Sequence, residues 1–174
     1  MKKNISTRKV NITEANALLK LSRQTFFDAF AAVNNPDDIA AYATQAFTIE
    51  KVTSELENPH SHFYFALLDD EIIGYLKLNS GNAQTEFRDN NALEVERIYI
   101  LKKYQGNKFG EQLLNFAIAL AQQAHCKYIW LGVWDKNQSA IRFYQSHGFN
   151  IFGSHYFMLG SDKQTDILMK LDLV

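Results

Sequence analysis

Two carboxylates, Glu94 and Glu96, are the first candidates for chemistry in this chain. They lie in the segment LEVERIYI, residues 93–100, where apolar and polar residues alternate as in a half-buried strand. The alternation slips by one residue after Glu96, which predicts a β-bulge there. A bulge leaves backbone N–H groups unpaired and re-aims side chains, so we expect both carboxylates beside a site. The alternative is that both are solvated charges on a strand.

A turn that contains glycines follows this strand. Residues 105–110, QGNKFG, lead into a helical pattern. Such a turn offers free N–H groups at the positive end of the helix dipole, which suits a phosphate or pyrophosphate. The alternative is an ordinary strand-to-helix connection. No complete dinucleotide-binding or P-loop motif is present in the sequence.

Length and composition narrow the class of protein. The 174 residues are 47% hydrophobic and 21% charged, which predicts one globular domain over residues 1–174. The net charge of −1 argues against nucleic acid or a membrane surface as partner. The single cysteine, Cys126, excludes a disulfide framework within the chain. With no apolar signal segment or membrane span in the sequence, we expect a cytoplasmic protein.

Helices and strands alternate along the chain and so predict an α/β fold. We expect three helices before residue 58, a hairpin over 61–78 and an exposed polar loop over 79–91. The strand with the two glutamates is followed by a helix over 108–124, a buried strand over 127–133 and a short helix over 139–146. Two last strands, 149–157 and 164–173, complete the pattern. Gly132 interrupts the buried strand, which lets a ligand or another backbone approach.

Three segments together resemble the GCN5-related N-acetyltransferase (GNAT) superfamily. VERIYI with Gln105–Gly110 is similar to its acetyl-CoA motif, IWLGVW to its fifth strand, and the segment from Asn137 to Phe149 to its N-x-x-A-x-x-F-Y-x-x-x-G-F pattern. The resemblance implies one domain with a mixed, mostly antiparallel sheet, a splayed fourth and fifth strand, and flanking helices. Lys108 replaces the middle glycine of the acetyl-CoA motif. LEVERIYI, IWLGVWDKN and the tail segment GSHYFMLGSDKQTDILM also resemble the bacterial PaiA-type spermidine/spermine N-acetyltransferases, and this resemblance extends over nearly the whole chain.

The resemblance implies acetyl transfer from acetyl-CoA to an amine by direct attack in a ternary complex. Tyr144 is then the acid that protonates the departing thiolate, and Glu96 is the first candidate for removing the proton of the amine. Unpaired N–H groups beyond the bulge suit the developing oxyanion. The implied acetyl-CoA contacts are Ile98, Tyr99, Ile100, Gln105, Gly106, Asn107, Lys108, Phe109, Gly110, Asn137 and Tyr144.

The expected acceptor is a small-molecule amine, and the resemblance favours a polyamine. A polycation needs carboxylates both near the thioester and farther along its chain. The residues proposed to bind it are Glu94, Glu96, Asp28, Trp134 and Asp135. The alternatives are another acceptor (a protein N-terminus, an amino acid or an aminoglycoside) or a CoA-binding regulator with vestigial catalysis. We expect no metal, because no histidine lies at ligand spacing from Cys or an acid; a homodimer is compatible with the sequence, which does not determine the oligomeric state.

Overall fold

The computed structural model describes residues 3–174, which form a seven-stranded mixed sheet with helices on both faces. The sheet order is β1-β2-β3-β4-β5-β7-β6, and every neighbouring pair is antiparallel except β4 and β5. The α/β fold with a mixed sheet is therefore confirmed. The strands are β1 Ser6–Lys9, β2 Ser61–Leu68, β3 Glu71–Asn79, β4 Ala92–Ile100, β5 Tyr128–Trp134, β6 Asn150–Leu159 and β7 Asp162–Asp172.

Five α-helices accompany the sheet: α1 Ala15–Phe30, α2 Pro36–Ala46, α3 Ile49–Glu57, α4 Phe109–Gln123 and α5 Gln138–Ser146. The α4 stripe around Leu113 and Ala117 packs on one face of the sheet, together with α5. Leu18 of α1 and Val52 of α3 pack on the other face. Among residues 3–174 no helix has both the length and the apolar character that a membrane span requires.

β4 and β5 are adjacent over only a short length. Their register runs from Ala92 opposite Tyr128 to Glu94 opposite Trp130 and stops there. Beyond that point the two strands diverge and leave an opening between them. The splayed fourth and fifth strands are thus confirmed.

The bulge in β4 is also confirmed. Leu78 of β3 pairs with Val95, whereas the preceding residue, Lys77, pairs with Arg97. Glu96 is the extra residue and has no partner in the register. The bulged residue lies two positions after Glu94, the last residue of β4 that pairs with β5, so the bulge and the start of the opening are adjacent.

The prediction of an exposed loop over residues 79–91 is wrong for part of that segment. Asn79 is the last residue of β3 and is 0% exposed, and Gln84 is 4% exposed. The Gln84 side chain donates to the carbonyls of Gly81 and Asp89 and accepts from the indole N–H of Trp130 at 2.8 Å. Asn79 and Gln84 are therefore bonded to the protein rather than to water, which composition alone does not reveal.

Candidate active site

Glu94 and Glu96 lie together at the start of the opening, as predicted. The amide of Asn79 donates to both carboxylates, at 3.0 Å to Glu94 Oε2 and 2.5 Å to Glu96 Oε2. Glu94 also accepts from the backbone N–H of Thr85 at 2.9 Å and from its hydroxyl at 2.5 Å. Glu94 is 3% exposed and has no cationic partner among residues 3–174. Burial therefore dominates and raises its pKa, although these hydrogen bonds oppose the shift.

Glu96, in contrast, is held by two cations. Lys77 Nζ lies 2.5 Å from Glu96 Oε2, and Arg97 Nη2 lies 3.4 Å from Oε1. Both cations also contact Glu55, at 3.4 Å from Lys77 and 3.1 Å from Arg97. Burial favours the neutral acid, but Arg97 and Lys77 outweigh it and lower the pKa of Glu96. Glu96 is consequently a weaker proton acceptor than Glu94.

The charges of this cluster do not cancel. Glu55, Glu94 and Glu96 face the two cations Lys77 and Arg97, so one negative charge remains when all five groups are ionised. The uncompensated carboxylate is Glu94, because both cations contact the other two acids. A buried, unpaired carboxylate is an energetically favourable place for an ammonium group.

A cavity of about 620 Å³ opens in front of these residues. Glu94, Glu96 and Trp130 line it on the sheet side, where β4 and β5 separate. Aromatic side chains from α1, α2 and the sheet line the rest of the wall; they are Phe26, Phe30, Tyr42, Phe47, Tyr75, Tyr99, Trp134 and Phe157. The cavity thus combines buried carboxylates with ring faces, which suits a cation that carries alkyl segments.

Tyr144 lies at the junction of this cavity and a second one. It lines both, together with Ile98, Gln105, Asn137 and Ala140. Its side chain is 9% exposed, and burial raises its pKa to about 12. The hydroxyl therefore remains protonated at neutral pH and can donate a proton at the boundary between two ligands.

The second cavity, of about 640 Å³, lies along the predicted anion-binding turn. Gly106 and Lys108 both have left-handed backbones, with φ of 81° and 62°. The first N–H to bond within α4 is that of Gln112, which donates to the Lys108 carbonyl at 3.2 Å. The earlier N–H groups of α4 are thus oriented towards the cavity, and a Cβ added at Gly106 or Gly110 would meet no atom within 4 Å. This geometry fits the pyrophosphate of a nucleotide cofactor.

The backbone of β4 is available on the side of the opening. The Leu101 N–H donates to the Ile73 carbonyl on the β3 side at 2.8 Å. Because successive residues of a strand point their N–H groups to opposite edges, those of Ile98 and Ile100 face the opening. The N–H group of Tyr99 points towards β3 by the same alternation. The Tyr99 ring stacks on the ring of Tyr75. The N–H groups of Ile98 and Ile100 are therefore available to bond an extended ligand in the opening; their contacts to acetyl-CoA stay a prediction.

The remaining predicted residues occupy different positions. Asn137 is the N-cap of α5, where its side chain accepts from the Ala140 N–H at 3.1 Å, and it lines both cavities. Asp28 and Trp134 line the carboxylate cavity. Asp135 is not among the residues that line it, although its backbone N–H donates to the Thr165 carbonyl at 3.0 Å on the neighbouring strand.

Two loop residues have contacts that support the loop itself. The Asn107 amide donates to the carbonyls of Tyr104 and Gln105, and Asn107 is not among the residues that line the second cavity. Phe109 lines that cavity but is 3% exposed and packs in the core below α4.

Sequence reasoning missed several residues that shape the site, among them Lys77, Asn79, Thr85 and Arg97. The signal that was available is Lys77, a charged residue inside the apolar strand EIIGYLKLN. A charge in a buried strand requires a partner. The identity of the partners, Glu55 and Glu96, follows only from the tertiary structure.

An open strand pair, an anion-binding turn and an acidic cavity that meet at one tyrosine define a transferase with a phosphate-containing donor. Comparisons with known proteins agree with this class. The profile of the Acetyltransferase (GNAT) family matches residues 17–149. An uncharacterized N-acetyltransferase from the pepI 3′ region of Lactobacillus delbrueckii subsp. lactis is 42% identical over 156 residues, which are 90% of each chain.

More distant relatives extend the comparison. A spermidine N(1)-acetyltransferase of Thermoplasma acidophilum is 23% identical over 85% of this chain and 89% of its own. The crystal structure of the PaiA N-acetyltransferase of Thermoplasma acidophilum, in complex with coenzyme A, superimposes with a TM-score of 0.78 at 22% identity and covers 97% of this chain and 99% of that one. The chain belongs to the GNAT family. It is an N-acetyltransferase, and acetyl-CoA is its donor.

Proposed function

We propose that the acceptor of the acetyl group is a polyamine such as spermidine or spermine. The observation that carries this proposal is the uncompensated Glu94 carboxylate, buried in a cavity whose walls are aromatic. Ammonium groups and methylene segments match these two features. Two of the relatives, from Thermoplasma acidophilum and Bacillus subtilis, are named spermidine or spermine/spermidine N(1)-acetyltransferases.

The reaction we propose is direct attack of the amine within a ternary complex. Acetyl-CoA supplies an acetyl thioester. The ammonium group of the acceptor gives one proton to Glu94, directly or through water, and the lone pair freed in this way forms the new bond to the acetyl carbon as the carbon–sulfur bond breaks. The acetylated nitrogen then loses its second proton to solvent, from which Tyr144 regains the proton that it gives to sulfur. The N–H groups of Ile98 and Ile100 face the opening and stabilise negative charge on the acetyl oxygen. Tyr144 protonates the departing sulfur.

Glu94 is preferred over Glu96 as the proton acceptor on the basis of their contacts. Lys77 and Arg97 lower the pKa of Glu96, whereas burial raises that of Glu94. Glu96 remains part of the acceptor site, because the Asn79 amide joins it to Glu94. We assign Glu96 the role of orienting Asn79, which donates to both carboxylates.

The test is an amine-panel assay with acetyl-CoA that measures thiol release. The panel comprises spermidine, spermine, a monoamine of similar length, an amino acid, an aminoglycoside and a peptide with a free N-terminus. Spermidine and spermine should have the highest specificity constants, and added salt should lower these only modestly, because the buried Glu94 carboxylate is screened less than an exposed charge. A preference for the amino acid or the peptide would refute the polyamine assignment and leave acetyl transfer intact.

Variants of the two glutamates test their roles. Glu94→Gln should lower turnover with spermidine by about 10²-fold or more, as expected for a positioned base. Glu96→Gln should lower the spermidine rate by about tenfold while acetyl-CoA affinity stays almost unchanged. Glu57→Gln, on the exposed end of α3, is the matched control. If Glu94→Gln retains the parent turnover, Glu94 does not accept the proton.

A further inference from the structure

A second acidic group lies in the same cavity, on β6 and β7. His155 and Asp166 are directly opposite each other in the register of these strands, and both line the cavity. His155 Nε2 lies 3.3 Å from Asp166 Oδ2, and His155 Nδ1 contacts the carboxylate of Glu86. The two carboxylates occupy opposite nitrogens of one ring, so the three residues form a chain rather than a cage around a single ion.

This chain carries excess negative charge. Two carboxylates face one imidazole, so at least one negative charge remains even when the ring is protonated. Asp135 is a further acidic neighbour. Burial has the largest effect on Asp166 and raises its pKa; His155 opposes this shift, whereas the charges of Asp135 and Glu86 add to it. Of the two lysines on β7, Lys163 Nζ lies over the ring of Tyr156, 3.8 Å from its centroid, and Lys170 Nζ is 3.1 Å from Asp172 at the far end of the strand. An additional cation beside Asp166 would therefore be stabilised.

Gly132 forms an open floor between this group and Glu94. A Cβ at Gly132 would lie 3.7 Å from both Asp166 Oδ2 and His155 Nε2. Gly132 is on the same face of β5 as Trp130, which is opposite Glu94, and as Trp134, which is opposite Asp166. The register therefore places Glu94 and Asp166 four residues apart along β5, about 13 Å, and Gly132, which carries no side chain, lies midway along the strip of sheet between them.

Along this strip an acidic residue, Glu94, is followed by the backbone of Gly132 and then by a second acidic residue, Asp166. The rings of Trp134 and Phe157 line the cavity beside it. A molecule with two ammonium groups joined by methylenes has the complementary order. A monoamine fills only one end and leaves the charge at the other end uncompensated.

We propose that Asp166, supported by His155 and Glu86, binds the distal ammonium group of a diamine or polyamine acceptor while its reacting amine lies at Glu94. Gly132 leaves room for the alkyl segment between them. This inference rests on the proposed function, since it requires an amine acceptor at Glu94. Asp166 replaces Asp135 as the far carboxylate of the acceptor site.

The test is the ratio of specificity constants for spermidine and for a monoamine of similar length. Asp166→Asn should lower the value for spermidine by about tenfold to a hundredfold, the loss expected for one charge-assisted contact. The value for the monoamine should stay within about twofold, because the near site is untouched. Asp172→Asn, the same change at the far end of β7, is the control and should alter neither value.

A second variant tests the floor. Gly132→Val should raise the KM for spermidine by about tenfold, because the methyl groups of the valine project into the space of the alkyl segment. The affinity for acetyl-CoA should be retained. Melting temperatures establish that both variants fold, and valine is favoured in strands. Calorimetry of spermidine binding to the CoA-bound protein gives a readout that is independent of turnover, and Asp166→Asn should weaken that binding.

Three results separate this proposal from the proposed function. The distal site is refuted if the parent has equal specificity constants for the monoamine and for spermidine, or if Asp166→Asn lowers both specificity constants equally. Acetyl transfer to an amine stands in either case. If no amine in the panel causes thiol release from acetyl-CoA and spermidine does not bind, the polyamine assignment fails. The distal site then fails as well.

Discussion

Replacement of Tyr144 by phenylalanine tests the proposed chemistry most directly. The change removes one hydroxyl group and keeps the ring, which packs against Phe143 and Phe149 in the core. Among residues 3–174 the hydroxyl has no hydrogen-bond partner, and burial alone raises its pKa. Folding should therefore change by no more than about 1 kcal/mol.

The expected loss of turnover is about 10²-fold to 10⁴-fold, the usual contribution of a positioned acid. This corresponds to about 3 to 5 kcal/mol in the activation barrier. Because the pKa of Tyr144 is about 12, the tyrosine stays protonated across the working range. The parent should show no alkaline loss of activity from this residue below about pH 11.

The assay is thiol release at saturating spermidine and acetyl-CoA, measured from pH 6 to about pH 10, where the tyrosine remains in its acid form. Tyr156→Phe is the matched control, because Tyr156 is 71% exposed on β6. Turnover of Tyr144→Phe within about threefold of the parent would show that the hydroxyl does not act as the acid. A large loss with the control as well would point to a general effect of the substitution.

Three further predictions concern the cofactor loop and Glu94. Gly110→Asp should weaken CoA binding by about tenfold or more in calorimetry, because it places a carboxylate and added bulk in the space assigned to the pyrophosphate, and Gly110→Ala, which adds one methyl group, should weaken it less. Lys108→Val should be less stable than Lys108→Gly in denaturant unfolding by about 1 to 2 kcal/mol, since the φ of Lys108 is 62°; equal stabilities would contradict this. Burial raises the pKa of Glu94 above its unfolded value, so the stability it contributes at acid pH is lost as the pH rises through the folded pKa. Glu94→Gln should therefore melt no lower than the parent at pH 7. The glutamine amide oxygen can accept from Asn79 and from the Thr85 N–H, and its NH₂ group can donate to the Thr85 hydroxyl. A lower melting temperature of the variant would refute the idea that the buried charge of Glu94 costs stability.

The sequence by itself determined the features that depend on neighbouring residues. The phase slip after Glu96 predicted the bulge, and the register of β3 and β4 confirms it. Asn137 is of a residue type that favours the N-cap of a helix, and it caps α5. Bulges, caps and turns are local, because the residues that cause them lie within a few positions in the chain.

The tertiary structure decided the charges that face one another. Lys77 meets Glu55 and Glu96 across three elements, and no local pattern specifies such a pairing. Because these contacts exist only in the folded protein, the sequence did not reveal that Glu96 is ion-paired and Glu94 is not.

The far end of the acceptor cavity depends on sheet order in the same way. β7 lies between β5 and β6, so Asp166 is placed beside Trp134 on one side and His155 on the other. In chain order β6 follows β5 and the pairing of β5 with β7 is not apparent. Asp135, which immediately follows Trp134 in the sequence, is not among the residues that line the cavity, because side chains on successive strand residues point to opposite faces. Asp166 lines it because the sheet order inserts β7 beside β5.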